Sequence, residues 1–231
     1  MSRRSIVFCA FAVLAAALFV RLGFWQLARL REKLQRNATI AAQQSTQPVE
    51  FASLPQGAAA ARYRRAVIRG RFDYDHELVV SGRTRQGSPG VDLVTPLRVA
   101  GTDTAVLVNR GWVYSPNSAT VDRARWRESD SATVTGYVEL FAPDAPPTTP
   151  AADPRIVRRL SRSEAVSRIP FPLAPYYLVA TGDTAISRPA RREMPALDAG
   201  PHRGYAIQWF SFAAIALVGA LAVIRRERRA P

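Results

Sequence analysis

Cysteine is nearly absent. Cys9 is the single one, so no intramolecular disulfide can form and no thiol pair is available to carry copper. Histidine is also scarce, with only His76 and His202. These counts exclude a metal site built on a Cys/His cluster. Lysine is rarer still. Among 32 basic residues Lys33 is the one lysine and all others are arginine, which with the abundant alanine and proline fits a GC-rich genome. The formal charge of +14 comes without a zinc finger, an RNP-type motif or a basic–aromatic platform, so nucleic acid is not an expected partner. Catalytic signatures are missing as well. There is no G-x-S-x-G elbow, no G-x-x-x-x-G-K-S/T loop and no H-E-x-x-H, and neither histidine has a local nucleophile beside it. An enzyme is not expected.

What is present is an apolar run at each end of a polar middle. One covers residues 6–20 and extends to Trp25 if Arg21 snorkels; the other covers residues 205–224. Twenty helical residues rise about 30 Å, the thickness of a bilayer's hydrocarbon core. Arg3 and Arg4 precede the first run, and Arg225, Arg226, Arg228 and Arg229 follow the second. Basic flanks stay cytoplasmic, so both termini are expected inside and the middle outside. The Ala15/Ala17 pair lies within the first run and not after it, which makes a poor cleavage site, and the start is too short and apolar for a mitochondrial transit peptide. The expectation is an uncleaved, two-pass protein of a bacterial plasma membrane. Its parts are residues 1–25 (cytoplasmic start and first crossing), 26–43 (helical stalk), 44–203 (extracytoplasmic domain), 204–224 (second crossing) and 225–231 (basic tail).

Beyond Trp25 the helical pattern continues. Leu27, Leu30 and Leu34 recur at helical spacing with Ala38 and Ala41 near the same stripe, and no proline occurs until Pro48, which predicts one helix to about residue 42. Strands are expected over residues 64–72, 77–82, 91–99, 105–108, 132–140 and 176–181, separated by Gly-rich turns. Short helices are expected over 121–127 and from Ser161, where Glu164 completes a capping box. Prolines at 143, 146, 147, 150 and 154 mark an exposed connector. The fold class is α+β: two transmembrane helices flanking a mainly antiparallel β domain, or small barrel, with short helices.

Two places could carry chemistry. His76 beside Asp73 and Asp75 reads as a turn residue. His202 stands at the outer entry to the second apolar run, where imidazole can ligate haem iron or simply join an interfacial belt. Gln208 is a polar residue inside that run, which is costly unless it faces a helix or a bound group. Trp209 and Phe210 offer a flat apolar surface.

Three segments together resemble the Surfeit locus protein 1 family. They are Leu22-Gly23-Phe24-Trp25-Gln26-Leu27-Ala28-Arg29-Leu30, then Leu107-Val108-Asn109-Arg110-Gly111-Trp112-Val113, then Pro201-His202 leading into Tyr205-Ala206-Ile207-Gln208-Trp209-Phe210. The resemblance implies a membrane assembly factor for haem-copper (cytochrome c) oxidase that binds haem a transiently and aids its insertion into subunit I. It implies subunit I as partner, with haem a synthase as a further candidate and membrane lipid around the helices. His202 becomes the expected iron ligand, with Gln208, Trp209 and Trp25 beside the haem. Arg110 either pairs with haem propionates or belongs to a strand-end turn in which Gly111 takes positive φ and Trp112 fills the core. Arg203 and Gly204 depart from the family pattern, as does the proline-rich loop. The alternatives are a scaffold that binds subunit I without touching haem, and a membrane-anchored ligand-binding sensor.

Overall fold

A computed structural model of the chain describes residues 2–144, 153–182 and 188–229. Most of the proline-rich connector lies outside the described residues. The chain divides into two units, residues 1–41 with 196–231, and residues 42–195.

The first unit is built on two helices, α1 (Arg3–Gln44) and α4 (His202–Arg229). Both are long and apolar enough to cross a membrane. They run antiparallel: Ser5 Oγ donates to Glu227 Oε1, the Cys9 thiol lies 3.8 Å from the Ala220 carbonyl, and Phe19 stacks on Trp209 at 5.7 Å. Among the covered positions of α1, residues 5, 9, 12, 16, 19, 23, 26, 30, 33, 37 and 40 follow an alternation of four and three. On α4, Ala206, Ala213 and Ala220 are buried at intervals of seven. A strict seven-residue repeat keeps one seam facing the partner along a left-handed supercoil.

Small residues fill that seam. Ala12, Ala16 and Gly23 are buried on α1, as Ala206, Ala213 and Ala220 are on α4, and small side chains let backbones approach closely. A Cβ on Gly23 would lie 2.6 Å from the Phe210 ring. Large apolar side chains point the other way: Phe11 is 71% exposed and Ile215 67%. This reverses the pattern of a water-soluble helical hairpin. The leucine stripe expected in the stalk is kept in part, with Leu27 and Leu30 half-buried. Leu34 faces outward, while Gln26 and Asn37 occupy the seam, because their amides bond the segment that leads into α4.

The second unit is a mixed β-sheet with short helices. Its strands are β1 (Val49–Glu50), β2 (Arg65–Phe72), β3 (Leu78–Arg85), β4 (Ser88–Val99), β5 (Ala105–Tyr114), β6 (Ser131–Glu139), β7 (Ile156–Val157) and β8 (Leu173–Ala180). The helices are α2 (Ala58–Ala61) and α3 (Arg162–Arg168). Strand order is β1-β2-β6-β8-β5-β4-β3-β7, and β2 also pairs with β4. That extra pairing closes β2, β6, β8, β5 and β4 into a ring. Alternate residues then line opposite faces. Val106 and Val108 of β5 point into the ring with Ile68, Leu97 and Leu178. Ala105 and Leu107 point out, under Leu160, Ala165 and Ile169 of the α3 region.

Several local expectations change. The sheet is mainly antiparallel, as expected, but mixed, because β1–β2, β3–β7 and β5–β8 are parallel. The helix expected over 121–127 is a single 3₁₀ turn, Ala124–Trp126. At Ser161 the cap forms as expected, its hydroxyl accepting from the Glu164 amide. Strand β5 runs six residues past Val108, so the Asn109–Trp112 segment sits within a strand and not at its end.

Candidate functional site

The first and third motif segments meet within the helical unit. Gln26 is buried on α1 at 9% exposure, and its Oε1 lies 2.9 Å from Nδ1 of His202, the opening residue of α4. An amide oxygen only accepts, so the contact is a hydrogen bond when Nδ1 carries the proton. Asn37 Nδ2 donates to the Asp198 carbonyl at 2.7 Å, and Lys33 Nζ lies 4.0 Å from Asp198 Oδ1. The Gly200 amide donates to Asp198 Oδ1 at 2.6 Å. One face of α1 therefore grips the turn that delivers His202.

Aromatic rings continue from this point. Trp209 stacks on Phe19, and Phe24 meets Phe210 edge-on at 5.4 Å. Trp25 is half exposed, with the Arg29 guanidinium 5.7 Å from its ring. Gln208 is exposed. It does not face α1, so within this chain its amide points outward from the hairpin.

Arg110 belongs to the other unit and is fully enclosed, with 0% side-chain exposure. Its Nη2 donates to Glu77 Oε2 at 2.6 Å. Its Nη1 donates to Glu128 Oε2 at 2.9 Å and to the Trp126 carbonyl at 2.7 Å, and Nε donates to Thr95 Oγ1 at 2.8 Å. The Tyr74 ring centroid lies 5.0 Å from the guanidinium. Burial presses the guanidinium toward neutrality, but Glu77, Tyr74 and Glu128 together more than offset it, and the pKa lies above the ordinary arginine value. The local cause is a bulge: Leu93 pairs with Gly111 and Val94 with Asn109, leaving Arg110 as the extra residue. Bulges re-aim a side chain. Here the bulge sends Arg110 to the end of the ring beside Phe72.

The neighbours of Arg110 are equally committed. Asn109 Nδ2 donates to Asp92 Oδ2 at 3.2 Å, where Arg192 Nη2 also donates at 2.7 Å. Gly111 has φ 131°, and a Cβ there would lie 2.4 Å from the Ala190 carbonyl oxygen. Trp112 exchanges both backbone hydrogen bonds with Ala190, so this strap crosses the bulge. The Trp112 ring is half-buried; it packs against Gly90, whose Cβ position lies 2.3 Å from the indole nitrogen. Glu77 was not marked by the sequence. It sits beside His76 at the end of a turn, and its 1% exposure and its 2.6 Å contact identify it as Arg110's counter-ion. His76 is a turn residue, its Nδ1 2.9 Å from Asp73 Oδ2. Among the described residues no group of three or more His, Cys, Asp or Glu could hold a metal ion.

The model of the SURF1 family matches residues 13–214, a span that includes all three motif segments. The chain belongs to the SURF1 family. It is similar to the SURF1-like protein of Rickettsia felis, 27% identical over 235 residues that cover 98% of each chain. The SURF1-like protein of Drosophila melanogaster is 29% identical over 228 residues, 88% of this chain and 73% of that one. The SURF1-like protein of Monosiga brevicollis is 30% identical over 142 residues, 54% of each, so this chain spans about half the length of that relative.

For a SURF1-family chain the division of labour is physical. The central motif is spent on a buried ion-pair cluster inside the β unit. The flanking motifs assemble an imidazole with one bonded nitrogen at the mouth of an aromatic-lined helix pair. A neutral imidazole protonated at Nδ1 leaves a lone pair on Nε2, the form that ligates a metal.

Proposed function

We propose that this SURF1-family chain is a membrane assembly factor for haem-copper cytochrome c oxidase that holds haem a transiently as cargo before it enters subunit I. The observation that carries this is the His202–Gln26 pair. An imidazole, its Nδ1 bonded to Gln26 and its Nε2 without a hydrogen-bond partner among the described residues, stands where the aromatic rings of two membrane-length helices begin. Outward-facing phenylalanine, leucine and isoleucine suit lipid. By the positive-inside rule, the basic residues before α1 and at the end of α4 favour cytoplasmic termini and an extracytoplasmic β unit, in this reading at a bacterial plasma membrane.

The residues fit a haem. Nε2 of His202 would ligate the haem iron, and Trp25 and Trp209 would offer apolar ring surface. Gln208, exposed on the same helix, is free to meet the cargo or subunit I. One protein ligand is suited to release, because handing the haem on requires breaking a single coordinate bond. The β unit, rigidified by the Arg110 cluster, docks the oxidase subunit, and haem a synthase is the source of cargo.

The test is complementation. A strain lacking the gene receives wild type or His202→Ala at matched membrane levels, and haem a per subunit I is measured by difference spectroscopy and immunoblot. We expect His202→Ala to leave subunit I underfilled. Subunit I filled to the wild-type ratio would overturn haem carriage through His202. Lowered subunit I with normal filling would instead favour a scaffold that never touches haem.

A further inference from the structure

We infer that Gln26 is a positioning residue: it holds the His202 imidazole in the Nδ1-protonated tautomer and thereby makes Nε2 the iron-binding nitrogen. The role at iron rests on the reading of His202 as a haem ligand; the tautomer does not.

A glutamine on the covered seam of a long apolar helix is a costly choice unless its amide is used. From Ala12 to Gly23 the buried positions of α1 are Ala12, Ala16 and Gly23, all small. Gln26 interrupts that series at the level of His202, and its oxygen lies 2.9 Å from Nδ1. Among the described residues Nε2 has no hydrogen-bond partner. The turn before α4 is set by the same helix face through Lys33 and Asn37, so both the ring and its backbone are referenced to α1.

Gly200 supplies the second observation. Its φ of +67° belongs to the left-handed region, and a Cβ there would sit 3.4 Å from Cδ2 and 3.6 Å from Nε2 of His202. Lacking a side chain, Gly200 leaves the Nε2 edge of the ring uncovered. An acceptor on Nδ1–H orients a metal-ligating imidazole and makes the opposite nitrogen a better donor, and loss of such a partner typically costs about 10–100-fold in metal affinity.

The experiment uses full-length protein in detergent, as wild type, Gln26→Leu, Gln26→Glu and His202→Ala. Nitrogen NMR of ¹⁵N-histidine-labelled apo protein reports which ring nitrogen is protonated, and with two histidines His202→Ala assigns the signal. Titration with ferric haem a reports affinity, and redox titration reports the potential of the bound haem. We expect Nδ1–H in wild type and a mixture of tautomers in Gln26→Leu, with about 10–100-fold weaker haem binding. Gln26→Glu, a stronger acceptor, should keep binding and lower the potential. A folding defect in Gln26→Leu, seen as lost helicity, is bypassed with Gln26→Met.

A wild-type His202 protonated at Nε2 would overturn the inference. So would a Gln26→Leu protein with unchanged tautomer, affinity and potential while His202→Ala loses haem; the ligand reading would then survive and Gln26 would be packing only. Haem binding unchanged in His202→Ala would remove the ligand reading itself, and the NMR result would still decide the tautomer.

Discussion

Removing the guanidinium of Arg110 tests whether the central motif is structural. In Arg110→Met, Glu77 keeps its 1% exposure but loses the charge 2.6 Å away. Thr95 Oγ1, the Trp126 carbonyl and Glu128 each lose a donor. Breaking a buried ion pair by deleting one partner costs about 3–5 kcal/mol. For a unit of roughly 150 residues each kcal/mol moves Tm by about 2–4 °C, so the β unit should melt about 6–20 °C lower. Arg110→Met combined with Glu77→Leu should recover most of that loss, because a packed apolar pair of similar volume can replace a buried ion pair. The assay is thermal and urea unfolding in detergent, with the exposed Arg158→Met as control, expected within about 0.5 kcal/mol of wild type. A loss below about 1 kcal/mol in Arg110→Met, or a double variant no better than the single, would refute the reasoning. A tenfold loss of haem binding at unchanged stability would instead return Arg110 to a propionate-binding role.

The remaining predictions follow from particular contacts. Gly111→Ala forces a strained φ and a clash with the Ala190 carbonyl; it should cost about 1–3 kcal/mol and speed hydrogen exchange at the Trp112 and Ala190 amides first. Ala213→Leu overfills the helix seam and should destabilise the pair by about 1–3 kcal/mol, read as lower-temperature loss of helical signal, whereas Leu217→Ala on the outward face should not. Burial, partly offset by Arg192, pushes the Tyr137 hydroxyl up to about 12 from its ordinary 10.0. A raised folded pKa means the stabilisation is complete below about pH 10 and is lost as pH climbs toward 12. Urea midpoints should therefore fall over that window, and Tyr137→Phe should flatten the fall.

Much of the fold could be read from residues alone because the signals were local. No proline interrupts α1, so its length followed from continuity. Val, Ile and Leu alternation marked β2, β4 and β6, and Ser161 with Glu164 marked the start of α3. The failures were non-local. β8 lies parallel to β5 only because a long excursion through β6, β7 and α3 returns it there, and no periodicity encodes that. Asn109, Arg110 and Gly111 look like a strand end because they break the apolar alternation, yet a bulge accommodates them within β5. His202 was legible from its position at the head of an apolar run. Gln26 was not singled out, although one signal existed. Projected on a seven-residue repeat, it is the polar residue that falls in line with Gly23, Ala16 and Ala12.

The most direct test of the account is the absorption spectrum of the purified full-length protein, co-expressed with haem a synthesis, for wild type and His202→Ala. The account predicts a haem a band in wild type that is lost or shifted in the variant. No haem in either protein, under conditions where a known haem a protein fills, would contradict cargo carriage.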